Sequence, residues 1–257
     1  MPTQETKAAV VITGGSAGIG EATAHAFARL GHPLVLGARR EGRLQAVAEE
    51  CKRLGAPRAH ALPLDVSDAA SITKFCGEAL SREPGFETLV NNAGMARGRD
   101  AVAVLKDEDI REMLDINVLG VLRVTRRLLP SLIERQRGHV INLGSLAAHG
   151  VYEGGSVYCG AKHFVRAVSQ TLRLELSGTN VRVTEVAPGM VETEFSEVRL
   201  GDPAKAKAVY AGMKPLVAAD VADCIVWAAT RPAHVNIVEI VLTPTAQASL
   251  SKVARST

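Results

Sequence analysis

Short apolar runs alternate along this chain with stretches in which apolar positions recur every three to four residues. The first run, 8–13, is rich in β-branched side chains and is followed by glycines, which predicts a buried strand. A helical pattern follows over 20–30. The alternation then repeats, with strands expected at 33–38, 58–64, 87–90, 138–143, 181–186 and 237–242. Helices are expected at 41–54, from Ser67-Asp68 to about 81, at 107–135, 156–176 and 220–230. Ser67 and Asp68 stand where a helix start needs a side-chain acceptor. The stretch 107–135 is long enough for two helices meeting near Asn117.

Strands separated by helices cannot pair as tight hairpins. They need crossovers, and crossovers give a parallel sheet covered on both faces. Right-handed connections then yield a doubly wound, Rossmann-type α/β sheet of about seven strands. No repeat, low-complexity tract or linker interrupts the pattern, so 1–257 reads as one domain. The segment 191–216 is the exception: its polarity is mixed, and it reads as an insertion or lid over a site.

Composition narrows the partners. Hydrophobic residues are 47% of the 257 and charged residues 22%, which excludes a disordered chain. The net charge of +3 is too small and too scattered for nucleic acid. Arg123, Arg126, Arg127, Arg135 and Arg137 form the most basic stretch and read as a solvated or interface face. Cys51, Cys76, Cys159 and Cys224 form no C-x-x-C pair; reduced thiols and a cytoplasmic location are expected. Met1 to Lys7 lacks the apolar core of a signal peptide, and no run is long enough to span a bilayer. No His, Cys and carboxylate set has metal-ligand spacing, so no metal is expected.

Candidate chemistry lies at the ends of the strands. The first runs into Thr13-Gly14-Gly15-Ser16-Ala17-Gly18-Ile19-Gly20. Glycines there let backbone approach a phosphate, and the helix that follows aims free N–H groups at it. Ser145 follows the fifth strand, and Tyr158 and Lys162 lie four apart at the start of the next helix, on one face.

With its T-G-x-x-x-G-I-G turn, Asn91-Asn92-Ala93-Gly94 after the fourth strand, and Ser145, Tyr158 and Lys162 in order, the chain resembles the short-chain dehydrogenase/reductase family over nearly its whole length. That resemblance implies an oxidoreductase using a nicotinamide dinucleotide, with Gly14, Ser16, Gly18, Ile19 and Gly20 in the phosphate turn. It implies that Asp65 and Val66 meet the adenine, that Asn92, Ala93 and Gly94 lie along the cofactor, and that Pro188, Gly189 and Thr193 flank the nicotinamide. Tyr158 is the implied acid/base and Lys162 the ammonium that lowers its pKa from about 10. Ser145 polarises the substrate oxygen. Asn117 matches an asparagine holding a water beside the lysine; the bland alternative is a polar break in a long helix.

The second strand ends in Arg39-Arg40 where an NAD enzyme has a carboxylate. A guanidinium fork suits a ribose 2′-phosphate, so NADP is expected, unless the pair merely opens a helix in solvent. The segments 193–199, 201–202 and 232–237 resemble a subgroup of NADP-dependent 3-hydroxy acid dehydrogenases. This implies substrates such as serine, allo-threonine, 3-hydroxypropionate or malonic semialdehyde, and a homotetramer. Arg199 is then the candidate cation for the acid group, its alternative being an exposed lid arginine. A bulkier ketone, sugar or acyl substrate, or a non-catalytic NADP-binding sensor, are the rival readings.

Overall fold

The structure, a computed structural model, describes residues 7–256. Seven parallel strands form one sheet in the order β3-β2-β1-β4-β5-β6-β9. They are β1 (Val10–Thr13), β2 (Leu34–Ala38), β3 (Ala59–Pro63), β4 (Thr88–Asn91), β5 (Gly138–Leu143), β6 (Val181–Pro188) and β9 (Glu239–Leu242). The helices are α1 (Gly18–Arg29), α2 (Glu41–Arg53), α3 (Ala69–Arg82), α4 (Asp107–Leu114), α5 (Val121–Glu134), α6 (Ser156–Glu175) and α9 (Ala218–Ala229).

Successive strand side chains point to opposite faces, and here both faces are covered. Val10 and Ile12 join Phe27, Leu34, Leu36 and Leu44 in one core, beside α1 and α2. Val11 joins Phe75, Leu89, Leu128 and Val140 in the other, beneath α3 and α5. This is why the first strand reads as an unbroken apolar run. Asp68 is the N-cap of α3, accepting from the backbone N–H of Ala70 and of Ser71, as its position predicts.

Three local features refine the sequence pattern. The two helices expected to meet near Asn117 are α4 and α5, joined by a π-helical stretch, Asp115–Gly120. Asn117 sits inside that wide turn, and its side chain anchors neighbouring backbone. The last strand starts at Glu239 rather than 237, because the N–H of Val183 is taken by the Asn236 side chain at 3.0 Å. The segment after β6 contains two helices, α7 (Phe195–Leu200) and α8 (Pro203–Ala208), between two short strands, β7 (Val191–Glu192) and β8 (Leu216–Val217). These strands pair Val191 with Leu216 and Glu192 with Val217, so segment 191–216 is closed at its base and stands over the carboxyl end of the sheet.

The strand order reverses at β1, which has β2 on one side and β4 on the other. Chains leaving these strands diverge to opposite faces and open a crevice, the usual ligand position in such sheets.

Candidate active site

The turn after β1 is held from both sides. The Asn92 side chain donates to the carbonyls of Thr13 (2.9 Å) and Gly14 (3.1 Å). The Thr13 hydroxyl accepts from the N–H of Asn92 and of Ala93, both at 3.1 Å. Gly14 has φ +69°, and a Cβ there would stand 2.8 Å from the Asn92 amide nitrogen. A Cβ on Gly20 would stand 2.3 Å from the carbonyl of Gly14, so Gly20 lets the turn fold against α1. The N-cap of α1, Ala17, makes no side-chain bond to the helix. The first-turn N–H groups are thus left without a side-chain cap, an arrangement that suits an anion.

The neighbouring groups complete a dinucleotide cradle. Arg39 and Arg40 close β2, and Arg39 forms no ion pair among the described residues. Arg40 is bound at 2.7 Å by Glu194, which also holds Arg43 at 2.5 Å. No carboxylate stands directly at the end of β2, Glu41 coming only after the two arginines, yet the fold brings one to Arg40 from the segment after β6. The two arginines hold the Glu194 carboxyl below the usual range. The Asp65 carboxylate accepts from the N–H (2.9 Å) and hydroxyl (2.6 Å) of Ser67.

Ser145 caps a short 3-10 turn, Leu146–Ala148, its hydroxyl oxygen accepting from Ala147 N–H at 3.1 Å. Tyr158 and Lys162 lie one turn apart on α6. The Lys162 ammonium donates to the Leu143 carbonyl at 2.8 Å and lies 5.8 Å from the Tyr158 ring centre. Burial pushes the Tyr158 phenol up to about 12, against the Ser145 hydroxyl and the Arg199 charge. Burial also pulls Lys162 down to about 8, with Glu185 acting the other way. This corrects the expected acidified phenol. The cation that favours phenolate here is Arg199, and the loss of hydration outweighs it.

Asn117 is buried, with its amide donating to Met95 O (2.9 Å) and Met113 O (2.8 Å) and its oxygen accepting from Met95 N–H (3.1 Å). Its side chain ties the loop after β4 to α4 behind the crevice. A Cβ on Gly94 would touch Asn117 Oδ1 at 3.0 Å and Lys162 Nζ at 3.7 Å, so Asn117 and the lysine flank one glycine.

A crevice of about 600 Å³ gathers nearly all the residues singled out from sequence: Gly14, Ser16, Gly18, Ile19, Arg39, Arg40, Asp65, Val66, Asn92, Ala93, Gly94, Ser145, Tyr158, Lys162, Pro188, Gly189, Thr193 and Arg199. Gly20 and Asn117 stand behind its wall. Arg199 reaches in from α7: its guanidinium carbon is 5.3 Å from the Tyr152 ring centre and 5.6 Å from that of Tyr158. Its Nε donates to Gly98 O at 2.9 Å, and Gly98 N–H donates back to Arg199 O at 2.8 Å. This exchange ties α7 to the loop after β4.

Sequence reading missed Arg99, Tyr152 and Gln247. The Arg99 guanidinium lies 5.5 Å from the Tyr152 ring. The Tyr152 hydroxyl is buried without a hydrogen-bond partner among the described residues, and burial pushes its pKa up. Gln247 accepts from Met190 N–H at 2.8 Å beside Gly189. Arg99 and Tyr152 fall in loops with no periodic signal; the nearest hint was the aromatic six residues before Tyr158.

Comparison with known proteins agrees with this geometry. The profile of the short chain dehydrogenase family matches residues 8–202. Sulfoacetaldehyde reductase 2 of Chromohalobacter salexigens is 43% identical over 93% of this chain and 95% of its own. An NADP-dependent 3-hydroxy acid dehydrogenase of Salmonella typhi is 42% identical over the same shares. The closed form of a serine dehydrogenase complexed with NADP+ superimposes with a TM-score of 0.90 at 37% identity, covering 97% of this chain and all of the other.

Proposed function

The chain belongs to the short-chain dehydrogenase family, and from that premise we propose that it is an NADP-dependent oxidoreductase of small acids bearing a hydroxyl or carbonyl group. The 3-hydroxy acids and their semialdehydes are the favoured class. The observation that carries the acid group is the pair Arg99 and Arg199, placed on Tyr152 beside Tyr158 with no carboxylate partner among the described residues. Guanidinium groups without counter-ions, Arg99 exposed and Arg199 partly buried, favour an anion. The buried Tyr152 hydroxyl offers a further donor to it.

Bound NADPH supplies a hydride to the substrate carbonyl carbon, and NADP+ accepts one from the alcohol. The chain's own residues manage the oxygen and its proton. Tyr158, held protonated by its surroundings, gives its Oη proton to the developing alkoxide. The Ser145 hydroxyl donates to the same oxygen. Arg199, 5.6 Å from the Tyr158 ring centre, and the Lys162 ammonium, 5.8 Å from it, stabilise the phenolate left behind. Gly14 to Ile19 and the start of α1 seat the pyrophosphate. Arg39 meets the ribose 2′-phosphate, with Arg40 beside it.

Relatives acting on a sulfonate aldehyde and on 3-hydroxy acids support a small charged substrate rather than a bulkier ketone, sugar or acyl group. On the family likeness we also assign a homotetramer in the cytoplasm. No helix among the described residues is long and apolar enough to cross a membrane.

The test is a spectrophotometric screen of NADP+ reduction with serine, allo-threonine, 3-hydroxypropionate and 3-hydroxybutyrate against uncharged secondary alcohols. The acids turn over, and Arg199→Ala raises their KM about 10- to 100-fold, as expected for a charged hydrogen bond, while leaving an uncharged alcohol's KM within about twofold. Uncharged alcohols preferred over every acid contradict the substrate class.

A further inference from the structure

Beneath the Ser145 turn, between α6 and the strands β6 and β9, runs a seam of charged groups that the chemistry above does not use. Glu185 and Glu239 are register partners on β6 and β9, so both side chains face α6. From α6, Lys162, Arg166 and Arg173 act electrostatically on Glu185. Arg166 Nε lies 3.3 Å from Glu239, and His149, just past the Ser145 turn, places Nε2 3.2 Å from the same carboxylate. Ligand atoms of His149, Glu185 and Glu239 all fall within 4.8 Å of one another. Arg166 on Glu239 already supplies positive charge there, so the cluster does not need a metal ion to balance it.

Glu185 is the unusual member. It is 2% exposed, and its Oε1 has no hydrogen-bond partner among the described residues. The carboxylate presses on the loop that makes the site: a Cβ on Gly144 would stand 2.2 Å from Glu185 Oε1. Gly144 lies between Ser145 and Leu143, whose carbonyl receives the Lys162 ammonium. A buried, unpartnered carboxyl is costly unless it serves a neighbouring charge.

We propose that Glu185 is a positioning residue for the reaction: its carboxylate, backed against Gly144, holds the Leu143–Ser145 turn in place and is the counter-charge for the Lys162 ammonium seated on the Leu143 carbonyl. The inference rests on Lys162 being a working group of the site. The charges agree in sign. Glu185 raises the Lys162 pKa, while Glu239 raises that of Glu185, which burial brings to about 7. Removing Glu185 therefore makes Lys162 lose its proton at lower pH. Removing Glu239 changes Lys162 little, because a Glu185 carboxyl titrating at about 7 is already mostly ionised where Lys162 loses its proton at about 8.

The experiment compares pH profiles of kcat/KM for the intact enzyme with those of Glu185→Gln, Glu185→Asp and Glu239→Gln. Glu185→Gln moves the alkaline limb down by about one unit, the size expected for losing an opposite charge nearby, with KM for NADPH within about twofold. Glu185→Asp restores most of the limb. Glu239→Gln, a change at a partly exposed edge position, leaves the limb within about 0.3 pH units. A limb that does not move in Glu185→Gln, or that moves down as far in Glu239→Gln, overturns the proposal. Should Glu185→Gln not fold, Glu185→Asp, which withdraws the carboxylate by one methylene, decides: a limb that does not move down at all overturns the inference. Lys162→Met separates the premise: if it keeps full activity, Lys162 has no role. If it is inactive and the limbs do not move, only the part given to Glu185 fails.

Discussion

Tyr158 is a phenol that its surroundings keep protonated, and Lys162 an ammonium that its surroundings make easy to lose. At neutral pH Tyr158 carries the proton it gives to a substrate carbonyl oxygen, and Lys162 is still largely the ammonium beside it. The alkaline limit of activity then belongs to Lys162, whose pKa burial lowers to about 8. We expect kcat/KM for carbonyl reduction to fall as pH rises through about 8, where the ammonium is lost. A profile flat well above that range contradicts this role. At this scale the sequence was informative about residue identity and uninformative about environment. Ser145, Tyr158 and Lys162 were legible from order and spacing, but the direction of the tyrosine shift was not, because desolvation depends on groups far apart in the chain. Glu185 was invisible for the same reason: a single acid in an apolar strand says nothing of what faces it.

The elements hold the site through buried polar links between strands. Asn91 on β4 donates to Asn142 on β5 at 2.8 Å and to Thr125 on α5 at 2.8 Å, and Asn142 donates to Ser169 on α6 at 2.9 Å. On the edge side, His139 of β5 meets Thr184 of β6 at 2.7 Å, and the Thr184 hydroxyl donates to Ile237 O at 2.5 Å. The histidine must therefore donate through Nε2, leaving Nδ1 buried without a partner. Protonating Nδ1 there is unfavourable, and burial lowers the pKa from 6.5 to about 3. A histidine kept neutral when folded contributes stability that is present above pH 6.5 and is lost as pH falls from there towards about 3. The full loss is on the order of 5 kcal/mol. Urea unfolding at pH 7 and pH 5 should show a drop that His139→Gln reduces; an equal drop in both proteins contradicts the assignment. Elements whose periodicity matched their burial were legible, α2 and α6 nearly to the residue. Those defined by side-chain competition or by a widened turn, the start of β9 and the π-helical stretch, were not, since neither leaves a period in the sequence.

For the whole molecule, the segment after β6 is the part that joins cofactor and substrate. Glu194 ties it to Arg40 and Arg43, and Arg199 ties it to Gly98 and the two tyrosines. Arg40 therefore shares its charge with Glu194, while Arg39 has no such partner among the described residues. We expect Arg39→Ala to raise KM for NADPH about 10- to 100-fold and Arg40→Ala to raise it less, with NADH nearly unaffected in both. Equal losses for the two cofactors contradict the 2′-phosphate role. The doubly wound sheet and its crevice followed from strands alternating with helices. The ion pairs and the Arg199–Gly98 hydrogen bond across the crevice did not, because they join positions more than a hundred residues apart.

The central claim is that the Tyr158 hydroxyl moves the proton that accompanies hydride transfer. Tyr158→Phe removes one oxygen and keeps the ring against Phe195. NADPH binding, followed by the quenching of protein fluorescence, should stay within about twofold, while kcat falls by at least about 10²- to 10⁴-fold. Turnover within a few-fold of the unaltered enzyme would contradict the account.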